Sequence, residues 1–118
     1  KARALAADFS GDGPVSGVGL DAAHGPFALV VNATSASLSG DVPALPDDAI
    51  DAGTFCYDMA YGSGPTAFMR WASERGAAGV ADGRGMLVEQ AAESFLLWRG
   101  VRPPTAQALA ELQQEAGG

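Results

Sequence analysis

The chain has 118 residues, 47% apolar and 18% charged, which supplies enough apolar material for one folded domain and too much for a disordered chain. Its net charge of −7, with seven scattered basic residues, argues against nucleic acid or an anionic membrane as partner, since both need clustered Lys and Arg. No apolar run approaches the ~20 residues that span a bilayer, and the single cysteine, Cys56, rules out an internal disulfide and suits a reducing, cytoplasmic compartment.

Residues 1–9 read as the middle or end of an amphipathic helix that lacks an N-cap. With no initiating Met, the chain is expected to be a piece of a longer polypeptide. Ser10-Gly11-Asp12-Gly13-Pro14 is a dense turn signal. Residues 15–20 alternate weakly, which suggests a short strand. Residues 27–31 form a continuous apolar run, as expected for a strand covered on both faces of a parallel sheet. Asn32-Ala33-Thr34-Ser35 ends that run abruptly. A polar, proline-punctuated stretch follows over residues 37–51, with one helical turn expected near 46–50. Residues 54–59 are the second strand. Residues 66–75 place Phe68, Met69, Trp71 and Ala72 at helical spacing behind Pro65, a favoured helix opener. Residues 77–81 are a short third strand, ended by Asp82-Gly83.

The clearest helix covers residues 83–99. Pro103-Pro104 opens a last one, with Leu109 and Leu112 at i, i+3 spacing and Gly117 placed after its end. Strands alternating with helices imply βαβ units and an α/β fold built on a parallel sheet.

In open α/β sheets, ligands sit beyond the carboxyl ends of the strands. Here those ends are residues 32–35, 59–61 and 82–83. Their small residues permit close approach to the backbone, although exposed loops are polar for ordinary reasons as well. Gly83, Met86, Leu87 and Gln90 share one face of the following helix, which starts at an anion-favouring N-terminus. Asp82 as a plain N-cap, with Met86 and Leu87 as ordinary core, accounts for most of this. Gln90, a lone amide among apolar neighbours, is left without an explanation.

Gly62-Ser63-Gly64-Pro65-Thr66-Ala67 matches G-x-G-x-x-G/A between a strand and a helix, with Asp82 about twenty residues further on. Pro65, however, removes an amide where a phosphate loop must supply one. His24 has no metal-ligand partner nearby and reads as a surface or capping residue. Cys56, inside an apolar strand, reads as an inert buried thiol. Asp47, Asp48 and Asp51 lack the ligand spacing of a cation loop.

Three segments resemble one known family. Val31-Asn32-Ala33-Thr34-Ser35 is similar to the N-A-T-S segment of shikimate dehydrogenases. Cys56-Tyr57-Asp58-Met59-Ala60-Tyr61 resembles their Y-D-M-x-Y segment. Asp82-Gly83-Arg84-Gly85-Met86-Leu87-Val88-Glu89-Gln90-Ala91 resembles their D-G-x-G-M-L-x-x-Q-A run, and the tail from Phe95 to Val101 also fits. The three motifs occur in order at matching separations, over residues 27–104.

This resemblance implies a partial Rossmann-like, three-layer parallel sheet with C-terminal helices. Residues 1–82 would be the last part of an NADP-binding domain and residues 83–118 the helices at the domain junction. The implied reaction is reversible reduction of 3-dehydroshikimate to shikimate with NADPH, in aromatic amino-acid biosynthesis. By position, Ala33, Thr34 and Ser35 would line the nicotinamide side of the NADP. Met59 and Gly83 would contact the nicotinamide end, with Met86 and Leu87 beside it. Tyr61 and Gln90 would reach the substrate. The family's catalytic Lys and Asp, glycine-rich phosphate loop and adenosine clamp fall outside these residues. The implied partner is therefore the polypeptide's own N-terminal domain, no catalytic residue or metal ligand is assigned, and the 118-residue chain alone is expected to be inactive. Ala67 stands where many relatives carry Pro. A sister enzyme preferring quinate or NAD, and a non-catalytic nucleotide-binding module, are the alternatives.

Overall fold

The computed structural model describes residues 1–117. Three strands form one sheet in the order β1-β2-β3, every pairing parallel: β1 (Leu29–Asn32), β2 (Phe55–Asp58) and β3 (Gly79–Ala81). Register aligns Val30 with Cys56 and Val80, and Asn32 with Asp58. Side chains alternate along a strand, so these five residues share one face of the sheet.

That face carries the core. Helix α3 (Ala67–Glu74) lies over β2 and β3 and places Phe68 and Ala72, one turn apart, against Cys56. The Thr66 hydroxyl caps the helix by accepting from the Met69 amide at 3.2 Å. Phe68 stacks on Trp71 with 5.6 Å between ring centroids, and the Arg75 guanidinium covers the outer face of Trp71 at 4.6 Å. The segment read as a polar loop closes the core from the side: it holds a short helix α2 (Ala36–Ser39) and a 3-10 turn (Asp47–Ala49), and it buries Ala49 and Ile50 with Val42 and Leu45 packed alongside. The turn expected near residues 46–50 is this 3-10 turn.

The opposite face bears Leu29, Val31, Phe55 and Tyr57. Phe55 lays its ring over Gly79, and α5 (Ala106–Gly117) brings Leu109 and Gln113 over Tyr57 and Ala81 across a groove of about 370 Å³. Toward β1 this face is open, with Leu29 57% and Val31 49% exposed, and the outer edge of β1 pairs with no strand among the described residues.

Helix α4 (Arg84–Arg99) leaves the end of β3 and packs on α5, with Val88 and Ala92 buried at i, i+4. Helix α1 (Ala2–Asp8) opens the chain. Two expectations fail. Residues 15–20 are not a strand: Val15, Val18 and Leu20 are about half exposed, and Gly17 instead crosses close to the backbone of Ala2 in α1. A weak alternation that pairs with no strand does not make one. Gly117 is the last residue of α5 rather than the residue beyond it.

Candidate functional site

All three strands run parallel, so their carboxyl ends lie along one edge of the sheet, and the expected site residues Ala33, Thr34, Ser35, Met59, Tyr61 and Gly83 lie just beyond those ends. What builds this edge is a polar network centred on Asp58. The Asp58 carboxylate is completely buried and accepts four hydrogen bonds. Oδ2 takes the hydroxyls of Ser37 at 2.7 Å and Thr66 at 2.6 Å. Oδ1 takes the Ala60 amide at 3.1 Å and the Asn32 side-chain amide at 3.4 Å.

Asn32, also buried, extends the network outward. Its Nδ2 donates to Ser37 Oγ at 2.9 Å, and its Oδ1 accepts from the backbone amide and the hydroxyl of Thr34 at 3.1 and 2.7 Å. The Met59 amide donates to the Asn32 carbonyl at 3.0 Å. Among the described residues, no buried side-chain nitrogen or oxygen lacks a partner. This matters because an unmatched polar group at a buried strand end costs about 1–3 kcal/mol.

The end of β3 is tied in by contact rather than by a network. The Gly83 amide donates to the Ala60 carbonyl at 3.1 Å. A Cβ placed on Gly83 would stand 2.1 Å from the Met59 carbonyl oxygen and 3.3 Å from Tyr61 Cδ1. Only a residue without a side chain lets α4 start this close to the β2 loop. Asp82 is not the N-cap residue itself: Gly83 holds that position, while Asp82 Oδ1 accepts from the Arg84 amide at 3.1 Å and Oδ2 pairs with the Arg84 guanidinium at 3.3 Å. The same guanidinium donates to the Gly62 carbonyl, fastening the β2–α3 loop to the start of α4.

The structure thus brings Thr34, Met59, Tyr61 and Gly83 together through shared partners. Ala33 and Ser35 flank Thr34 and are exposed. Met59 is 39%, Tyr61 51% and Met86 36% exposed, so apolar and phenolic surface faces outward at this edge. Gln90 is exposed one turn beyond Met86. Leu87 lines the groove between α4 and α5 with Ala91 and Phe95. None of these residues except Thr34 and Leu87 lines a described cavity; the edge is an open shelf.

Elsewhere the structure separates what the sequence lists together. Asp47 pairs with Arg75, Asp48 with His24, and Asp51 accepts from Gly53 and Thr54, and no three metal-ligating side chains converge among the described residues. Added Cβ atoms at Gly62 and Gly64 would meet nothing within 4 Å, so neither glycine is required by a close approach. Cys56 is buried, and burial pushes its thiol pKa up. Sequence reasoning overlooked Asp58, Asn32, Ser37 and Thr66. Alternation was the available signal: Asp58 shares a strand face with Cys56, two residues earlier, and must therefore point inward among donors. No helix among the described residues is long and apolar enough to cross a membrane.

A family profile described as the shikimate 5'-dehydrogenase C-terminal domain matches residues 83–113. Shikimate dehydrogenase (NADP(+)) of Alkalilimnicola ehrlichii is 56% identical over 115 residues, which cover 98% of this chain and 43% of that protein. The same-named protein of Alcanivorax borkumensis is 58% identical, over 96% of this chain and 41% of its own length. The crystal structure of shikimate 5-dehydrogenase from Thermus thermophilus, in complex with NADP(H) and shikimate, superposes with a TM-score of 0.75 at 30% identity, covering 95% of this chain and 41% of that one. The chain therefore spans less than half the length of these relatives. With identity of this level along nearly the whole chain and the fold in agreement, the chain corresponds in sequence and fold to the C-terminal part of these shikimate dehydrogenases.

Proposed function

We propose that this chain is the C-terminal part of an NADP-dependent shikimate dehydrogenase, which reversibly reduces 3-dehydroshikimate to shikimate in the cytoplasm, and that the strand-end shelf is its cofactor and substrate edge. The observation that carries this reading is the Gly83 contact. The start of helix α4 meets the Met59 carbonyl and the Tyr61 ring closely at Gly83, and Met59 and Met86 are both part-exposed. Apolar side chains beside a glycine suit a flat nicotinamide ring. When bound, NADP supplies the hydride acceptor or donor; the protein supplies position.

In this reading Ala33, Thr34 and Ser35 line one side of the nicotinamide. Met59 and Gly83 contact its end, with Met86 and Leu87 beside it. Tyr61 and Gln90 present exposed polar groups to the substrate's carboxylate and hydroxyls, which supplies the partner a solitary Gln needs. Residues 1–82 belong to the cofactor domain and residues 83–118 to the junction. The proton on the reacting oxygen is managed by residues outside this chain. The partner is then the N-terminal part of the same polypeptide, in keeping with the open β1 edge and the bare Leu29 and Val31 beside it. The test is shikimate-dependent formation of NADPH by the complete polypeptide.

A further inference from the structure

The reaction assigned above needs Thr34, Met59 and Tyr61 in fixed relation, yet these residues lie on two different loops, after β1 and after β2. What joins them is the buried Asp58 carboxylate. From Oδ1 one path leads through the Asn32 amide to Thr34, whose backbone and hydroxyl both bind Asn32 Oδ1. A second contact from Oδ1 goes to the Ala60 amide, the peptide between Met59 and Tyr61. From Oδ2 the Ser37 hydroxyl anchors α2 and the Thr66 hydroxyl anchors the start of α3. We infer that Asp58 is a positioning residue for hydride transfer: it sets the β1 loop against the β2 loop and so holds Thr34, Met59 and Tyr61 in register, without itself touching substrate or cofactor. This rests on the proposed function.

The chemistry of the clamp requires two acceptor oxygens. An Asn at this position has one. If its amide nitrogen faces Ala60 and Asn32, donor meets donor. If it faces Ser37 and Thr66, both hydroxyls lose the oxygen to which they donate, because an amide nitrogen has donors only and cannot accept. Either way one arm is released, while side-chain volume is kept. A misplacement of about 1 Å at reacting groups reduces rate up to 100-fold, so the loss appears in turnover.

The experiment compares Asp58→Asn with Thr54→Val in the complete polypeptide. Thr54 is equally buried in the same segment but at the other end of β2, where its hydroxyl binds only Asp51. Positioning predicts that Asp58→Asn lowers kcat about tenfold or more while the Kd for NADP changes far less. Thr54→Val should lose stability yet keep its kcat. Should Asp58→Asn not fold, Ser37→Ala and Thr66→Val each remove one arm and should each lower kcat several-fold. An Asp58→Asn enzyme with parental kcat, or arm variants with parental kcat, overturns the inference, as does a Thr54→Val enzyme that loses kcat equally. A parent without shikimate-dependent turnover instead overturns the proposed function and the inference with it, so the two failures are told apart by the parent enzyme alone.

Discussion

Gly83→Ala isolates the closest backbone contact at the shelf. The backbone at Gly83 has φ −72° and ψ 0°, which alanine adopts without strain, so the whole cost is steric. The new Cβ would sit 2.1 Å from the Met59 carbonyl oxygen and 2.8 Å from its carbon, and relief requires a shift of about 1 Å between α4 and the β2 loop. Overpacking of this kind costs about 1–3 kcal/mol. The Gly83-to-Ala60 hydrogen bond is stretched by the same shift and contributes about 1 kcal/mol more. The expected loss is ~2–4 kcal/mol, a fall in Tm of roughly 5–15 °C for a protein of a few hundred residues. Gly85→Ala, two residues on, has open space around its Cβ and lies inside the helix, so it should leave stability unchanged or raise it by up to ~1 kcal/mol. Chemical denaturation of the two variants of the complete polypeptide reads both. A Gly83→Ala protein within ~0.5 kcal/mol of the parent would refute the close contact, and with it the joining of α4 to the Met59–Tyr61 loop.

Two other outcomes follow from the same structure. Gln90→Ala should lower kcat/KM for shikimate by about 1–3 kcal/mol of lost hydrogen bonding to a charged or polar substrate, with little change in NADP binding; an unchanged kcat/KM would remove Gln90 from the substrate side. Burial raises the Cys56 pKa above its ordinary value of 9.0, so the native state keeps the thiol proton that the unfolded state gives up. That contribution to stability is complete below pH 9.0 and is lost as pH rises through the raised pKa. Stability measured from pH 8 upward should therefore fall less steeply in Cys56→Ala than in the parent, and equal slopes would contradict the burial of this thiol.

The reading from sequence succeeded where a single physical rule acts alone. Residues 27–31 and 54–59 are apolar runs cut off by polar residues, and both are strands, the first shifted to Leu29–Asn32 and the second trimmed by one residue at each end to Phe55–Asp58. Pro65 and Thr66 mark the start of α3, because a proline and a side-chain cap are local signals. It failed where the outcome depends on what lies opposite. Residues 15–20 alternate but pair with no strand, whereas Ala49 and Ile50, set among prolines and aspartates, are buried because α3 and β2 come to meet them. The same holds at the shelf. Asn32 and Asp58 are 26 positions apart, and only strand register, which pairs them directly, turns two polar residues into one clamp. Gly83 looks like any glycine before a helix; the need for it arises from Met59 in another loop.

The most direct measurement follows reduction of NADP and of NAD by the complete polypeptide with shikimate and with quinate as substrates, beside the 118-residue chain alone. Rapid turnover with shikimate and NADP, and none from the 118-residue chain, is the predicted result. Turnover only with quinate or only with NAD would contradict the assigned substrate or cofactor, and no turnover with any pair would contradict the proposed activity itself.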